Sequence, residues 1–393
     1  MKRIYFDYAA TTPMHKSVAV VMDDYASKTF GNPSSQHWFG QQARAAVESV
    51  RQQIADDLFC QPNELLFTSG ATESDNLALG GVINYWLAQW REVKRQPHII
   101  ISAFEHPAVL STALAWERRG VQVTLVNPLA SGVVDVEDIK KAITDNTVLL
   151  SLMYVNNEIG TVQPVQVLGK YLLELNKERQ ANNLGRISYH IDAVQALNYL
   201  NCRPDHLRAD LMSFSGHKIY GPKGVGILYL RHGTPFVALQ TGGAQENGRR
   251  AGTLNVPGIV GMGKAMVQAI ADAVEQGEKI KALQQSMEKQ LQQRYQAIIN
   301  CQNSERAPHI SNLRIPGLNG EQLAVQLDLE GIAISTGSAC SSGSTKPSVT
   351  LSALGLDKQA VSESVRVSLG MGNKHSDIVY FFKVLDKIIK NNV

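Results

Sequence analysis

Lys218 sits in the segment SFSGHKIYGPKGVG, directly after the strand-like run Asp210–Phe214. Glycines at 216, 221, 224 and 226 let the backbone turn tightly and approach a ligand closely. A lysine held at a strand end, its basicity lowered by the site, can form a Schiff base with a carbonyl. The competing reading is an exposed loop lysine. Ser215 and His217 beside it are placed to donate hydrogen bonds to a phosphate. The glycines run GxxGxG rather than GxGxxG and no Walker GK[ST] is present, so the nucleotide signal is weak.

Asp192 closes the apolar run of ISYHIDAVQ. A carboxylate at the carboxyl end of a buried strand lies where open α/β sheets bind ligands. It serves there either as a turn cap or as the partner of a pyridinium N–H, which makes the ring an electron sink. Gln195, three residues on, is within reach of that ring's phenolic oxygen. In LLFTSGATESDNLAL a strand meets a glycine turn and a helix start. The amides of Ala71 and Thr72 with the Thr72 hydroxyl form a phosphate cradle, or Ser69 simply caps an ordinary helix. His106, before Pro107, is a loop histidine or an imidazole over a planar cofactor that moves protons near neutral pH. Asn157 in YVNNEIG is a turn residue or a hydrogen-bond partner of a cofactor oxygen.

Cys340 lies in STGSACSSGSTKPS, whose small polar residues cannot build a core and which reads as a mobile loop. A thiol in such a place is a liability unless it does chemistry. Arg366 in SVRVSLG is either a structural ion pair or a bidentate partner for a substrate carboxylate. Together these residues supply a phosphate cradle, a stacking group, a pyridinium partner and an amine. Pyridoxal phosphate needs all four.

Such a set needs one scaffold. Strand-like runs at 65–67, 98–101, 121–126, 148–154, 187–191, 210–214 and 225–230 alternate with helical patterns through the first two-thirds of the chain. That alternation predicts an α/β domain with a mostly parallel sheet, and the continuous apolar runs suit strands covered on both faces. Thr72, His106, Asn157, Asp192 and Lys218 all fall just past strand ends. After residue 255 the texture predicts a smaller α+β domain. It opens with a long helical stretch, roughly 256–300, that breaks near Gly277. We expect residues 16–255 as the large domain, and 1–15 with 256–393 as the small one carrying the Cys340 loop.

Composition narrows the function. The 393 residues are 44% hydrophobic and 19% charged, as in a globular protein with a large core. Lys plus Arg number 38 and Asp plus Glu 35, a balance of +3 that gives no reason to expect binding to nucleic acid or a membrane surface. No apolar run approaches a membrane span, and the N-terminus lacks a signal-peptide core. The four cysteines, at 60, 202, 301 and 340, form no CxxC pair, so a metal site is not expected. These features point to a cytoplasmic protein with reduced thiols.

The motifs YFDYAATTP, FGNPSS, FTSGATESDN, EHPAVL, VNNEIGTVQP, HIDAVQ, SFSGHKIYGPKGVG, GGAQENGRRAGT and STGSACSSG span nearly the whole chain. In combination they resemble a cysteine desulfurase of the NifS/IscS-like group, fold-type I pyridoxal-phosphate enzymes of aminotransferase class V. The resemblance implies that Lys218 bonds covalently to the cofactor and that Asp192, Gln195 and Asn157 contact its ring. It implies that His106 stacks on the ring and transfers protons, and that Ala71, Thr72, Ser215 and His217 hold the phosphate. Thr253 is implied to reach the neighbouring subunit's phosphate in a homodimer with shared sites, with Asn32 and Arg366 on the substrate carboxylate. Cys340 is implied to take sulfur from L-cysteine, leaving alanine, and to pass it as a persulfide to an acceptor protein in iron–sulfur cluster assembly or tRNA or cofactor thiolation. A selenocysteine lyase, or another fold-type I enzyme, is the alternative.

Overall fold

The computed structural model describes residues 2–336 and 347–392. Among these, the strands are β1 (Ile4–Tyr5), β2 (Leu65–Thr68), β3 (His98–Ser102), β4 (Gln122–Val126), β5 (Thr147–Met153), β6 (Ser188–Asp192), β7 (Leu211–Ser215), β8 (Gly226–Leu230), β9 (Ile298–Ile299), β10 (Ile310–Arg314), β11 (Ile332–Ala333), β12 (Ser335–Thr336) and β13 (Ser364–Ser368). Seven of them form one sheet in the order β2-β8-β7-β6-β5-β3-β4. Only β8 runs against its neighbours, so β2, β3, β5, β6 and β7 all point their carboxyl ends to one edge.

The apolar runs behave as two-faced strands. Ile99 and Ile101 pack into a core on one side of the sheet with Leu66 and Leu149. Ile100, between them, packs into the other core with Leu65, Phe67 and Leu150. Successive side chains point to opposite faces, so a strand covered on both sides is apolar throughout.

A second, antiparallel sheet runs β12-β13-β10-β9. Its core gathers residues such as Leu313, Val365 and Val367 with Phe381 and Leu385 of the final helix His375–Asn392. Ile4 and Phe6, from the other end of the chain, join this core. β1 pairs in parallel with β11, and the chain then crosses to the large sheet. There Thr12 N–H donates to the His217 carbonyl (2.9 Å) and His15 N–H to that of Tyr220 (2.9 Å). The first fifteen residues therefore touch both sheets.

One expectation fails. The helix Val256–Tyr295 runs 40 residues without the break expected at Gly277. Its first turns, through Met266, are buried in the larger core, while Ile280, Met287 and Leu291 are buried in the smaller one. Burial at both ends outweighs the roughly 1 kcal/mol by which one interior glycine weakens a helix. Farther on, Ile334 separates two short strands, β11 and β12, that join different sheets.

A Cβ built on Gly277 comes no nearer than 3.8 Å to another residue, the Tyr199 ring. Gly277→Ala should therefore raise stability by about 0.5–1 kcal/mol. A denaturant midpoint that stays put or falls would mean that this helix is not continuous at 277.

Candidate active site

The carboxyl ends of β2, β3, β5, β6 and β7 surround a cavity of about 570 Å³. Ala71, Thr72, His106, Asn157, Asp192, Gln195, Ser215, His217 and Lys218 all line it. Nine positions scattered over 148 residues of sequence thus meet because their strands share one direction.

The lining combines several chemistries. The helix Ala71–Gln89 begins at Gly70, which supplies no side-chain cap, so the first amides face the cavity region unclaimed by a capping side chain. Ser69, expected as the cap in the plainer reading, does not fill that role; its own N–H donates to Glu73 Oε2 (2.7 Å). Lys218 lies in the turn after β7, with its Nζ donating to the carbonyls of Ala9 (2.5 Å) and Ala10 (2.9 Å). Lys223 also lines the cavity.

Carboxylates line the cavity as well. Asp192, the last residue of β6, is buried and accepts from the Val194 N–H (3.0 Å). Asp75 stands in the first turns of the helix Ala71–Gln89, is 1% exposed, and its Oδ1 has no hydrogen-bond partner among the described residues. That oxygen lies 3.6 Å from His190 Nε2. Burial pushes the carboxyls of both Asp75 and Asp192 up, and Asp75 is raised further by the Asp192 charge. Sequence reasoning passed over Asp75. Its signal was positional: it shares a helix face with the buried Ala78, Leu79 and Val82.

The histidines are held neutral. Burial, then the Lys218 charge, lowers His106 to about 4. His106 caps the helix Pro107–Glu117, its Nδ1 accepting from the Ala108 N–H (3.1 Å), so its single ring proton sits on Nε2. Burial and Lys218 likewise lower His217 to about 4, with its Nδ1 3.1 Å from Thr11 Oγ1.

These residues fit a planar, phosphorylated, aldehyde-bearing cofactor. A cationic, amide-rich end suits a phosphate, an amine suits a carbonyl, and a buried carboxylate pair with an unclaimed oxygen suits a cationic ring nitrogen.

Three expected site residues lie apart from the lining. Arg366 on β13 is 2% exposed, donating from Nη1 to the Asn157 carbonyl (2.8 Å) and from Nη2 to Asp7 Oδ1 (2.7 Å). It therefore neighbours Asn157 while already holding a carboxylate of its own chain. Asn32 is exposed, its Oδ1 accepting from the Ser34 N–H, and Thr253 is exposed as well. Cys340 lies outside the described residues.

The aminotransferase class-V family model matches residues 4–381. A cysteine desulfurase IscS from Dictyoglomus turgidum (strain DSM 6724 / Z-1310) is 41% identical over 392 residues, covering 99% of this chain and 95% of that protein. A solved NifS-like protein is 34% identical with a TM-score of 0.90, covering 99% of this chain and all of the other. A structure described as SspA in complex with cysteine is 35% identical with a TM-score of 0.80, over 94% of this chain and 99% of that one.

The buried Glu105, beside His106, gives a test independent of any ligand. Its Oε1 accepts from Ser102 Oγ (2.5 Å) and Met153 N–H (2.9 Å), and burial raises its carboxyl to about 8. The protonated form is thus favoured on folding. Its contribution is full below the ordinary carboxyl value near 4.5 and is lost as pH rises through about 8. Glu105→Gln, neutral throughout, should gain in apo-protein melting temperature over the parent between pH 5 and 8. A difference that stays flat over that range would mean Glu105 ionises freely in the folded chain.

Proposed function

The chain belongs to the aminotransferase class-V family, and within it we propose that this protein is a cysteine desulfurase, removing sulfur from L-cysteine with pyridoxal 5'-phosphate and releasing L-alanine. The observation that carries this reading is the convergence of the Lys218 amine and the buried Asp192 carboxylate in one cavity, in a chain similar to a desulfurase along nearly its whole length.

When bound, the cofactor supplies a conjugated ring that takes up the electron pair released at the substrate's α-carbon. Lys218 anchors it through its amine and afterwards serves as the base for the α-proton. Asp192 keeps the ring nitrogen protonated, and Gln195 and Asn157 orient the ring from its oxygen side. Ala71, Thr72, Ser215 and His217 hold the phosphate. His106 stacks on the ring and offers the proton on Nε2 to the substrate. Arg366 draws the substrate carboxylate to the side of the cavity near Asn157, in exchange with or alongside Asp7, with Asn32 as its second contact. Cys340, as thiolate, forms an S–S bond to the substrate sulfur while the C–S bond breaks, and keeps the sulfur as a persulfide.

We read residues 16–255 as the cofactor-binding domain, and 1–15 with 256–393 as the smaller domain bearing Cys340. The second core, which joins Ile4 and Phe6 to residues 280–388, supports this division, although the first turns of Val256–Tyr295 pack with the larger unit. The protein acts as a homodimer in this reading. Thr253, exposed and away from its own chain's cavity, then completes the partner's phosphate site. A cytoplasmic location agrees with Cys60, Cys202 and Cys301, which are free thiols, and with the lack, among the described residues, of a helix long and apolar enough to cross a membrane. The persulfide then passes to an acceptor protein of iron–sulfur assembly or of tRNA or cofactor thiolation.

Incubation with L-cysteine followed by mass spectrometry should add one sulfur atom to the peptide bearing Cys340. Cys340→Ala should keep its yellow cofactor and bind cysteine, yet release no sulfide with a reductant. Undiminished turnover in that variant would refute the nucleophile. Lys218→Ala should lose the lysine–cofactor absorbance, and a borohydride-reducible adduct on another lysine would overturn that anchor.

A further inference from the structure

His309 precedes β10 and is 4% exposed. It belongs to the segment that leads into the smaller sheet, yet its ring reaches the large-sheet site. It stacks on Tyr199 with centroids 4.5 Å apart, and its Nε2 lies 3.1 Å from Gln195 Oε1. Gln195 in turn donates from Nε2 to the Ala9 carbonyl (2.8 Å).

The directions of these bonds are forced. A backbone carbonyl only accepts, so the Gln195 nitrogen must face Ala9 and its oxygen must face His309. An amide oxygen also only accepts, so His309 must carry its proton on Nε2. The ring is neutral: burial, then the charges of Arg366 and Lys218, lowers it to about 3. One proton is therefore all it has, and Nδ1 is left as a bare acceptor without a hydrogen-bond partner among the described residues. With one Gln195 hydrogen spent on Ala9, the other remains for the cavity that Gln195 lines.

We propose that His309 is a positioning residue which, through its Nε2–H bond to Gln195 Oε1, fixes the Gln195 amide so that an N–H rather than a carbonyl faces the cofactor's oxygen. The inference rests on the reading of Gln195 as a cofactor contact. Without the His309 donor the amide oxygen loses its partner and the Ala9 carbonyl alone holds the side chain. The amide is then held less firmly, so the N–H that faces the cofactor oxygen becomes a less well-directed donor. Lys218 donates to the same Ala9 carbonyl, so the amide and the amine share one backbone anchor.

The test uses the holoenzyme reconstituted with pyridoxal 5'-phosphate and reads cofactor retention on dialysis and the pH midpoint of its visible absorbance. His309→Phe keeps a ring against Tyr199 and removes the donor. It should retain the cofactor about 2- to 10-fold less tightly, the equivalent of one hydrogen bond, and move the absorbance midpoint upward, because a donor at the oxygen favours the more negative form. His309→Gln, which keeps an N–H, should restore both. In a Gln195→Leu background, His309→Phe should add nothing further. Thermal melting of each apo-protein separates these effects from misfolding.

The inference is overturned if His309→Phe matches the parent, if His309→Gln behaves as His309→Phe does, or if the effects of His309→Phe and Gln195→Leu simply add. A parent protein that gains no visible band with pyridoxal phosphate would sink the functional reading as well. A normal parent band with an unmoved His309→Phe would sink this inference alone.

Discussion

The site is held together by a lysine ammonium resting on two backbone carbonyls from the far end of the chain. Lys218 Nζ bonds to Ala9 and Ala10, separated from it by 209 and 208 residues. A charge-assisted bond to a fixed carbonyl is stronger and more directional than one to water. The N-terminal segment can offer those carbonyls only because it is stitched on both sides, by β1 to β11 and by Thr12 and His15 to the turn after β7. The same short stretch supplies Asp7 to Arg366, the Ala9 carbonyl to Gln195 and Thr11 to His217. Several polar groups of the candidate site are thus oriented by residues with no catalytic chemistry of their own.

Burial explains the electrostatics around that anchor. Asp75, Asp192 and Glu105 lie within one buried region, and removal from water raises all three carboxyls. The same burial holds His106, His190 and His217 neutral, with His190 bridging Ser151 Oγ (2.8 Å) and Ser213 Oγ (3.0 Å). Asp192, raised only to about 6 and already drawn down by the Lys218 charge, carries its negative charge near neutral pH, and that charge in turn raises Asp75. A cationic ring nitrogen beside Asp192 would lower its carboxyl further, toward the ordinary carboxylate range. Cofactor binding and the charge state of the floor are then two sides of one equilibrium.

The architecture was legible because strand ends announce themselves. Lys218, Asp192 and His106 each follow an apolar run by a few residues, and a shared strand direction brings such positions to one edge. Partner choice was not legible. Nothing in SVRVSLG says that Arg366 already holds Asp7, since the two are 359 residues apart and meet only when β13 lies beside the N-terminal segment. Gly277 misled for the opposite reason: its local signal was a break, while the packing that overrides it comes from two separate cores. The N-terminal fifteen residues carry little periodicity, so their place between the sheets could not be read from pattern alone.

The ends of the segment that contains Cys340 bear on the proposed chemistry. On one side, Ser335 pairs with Arg366 and Thr336 with Val365. On the other, Ser348 Oγ and Thr350 Oγ1 donate to the two oxygens of Glu158 (2.5 and 3.1 Å), the residue after Asn157. Both roots are therefore fixed to elements that flank the cavity, one through the strand carrying Arg366 and one through the turn carrying Asn157. Cys340 comes four residues after Thr336 in the sequence. The half-buried Glu158, whose carboxyl is raised by burial and drawn down by the two hydroxyls and Arg366, ties the root of the thiol's segment to the residues proposed to hold cofactor and substrate.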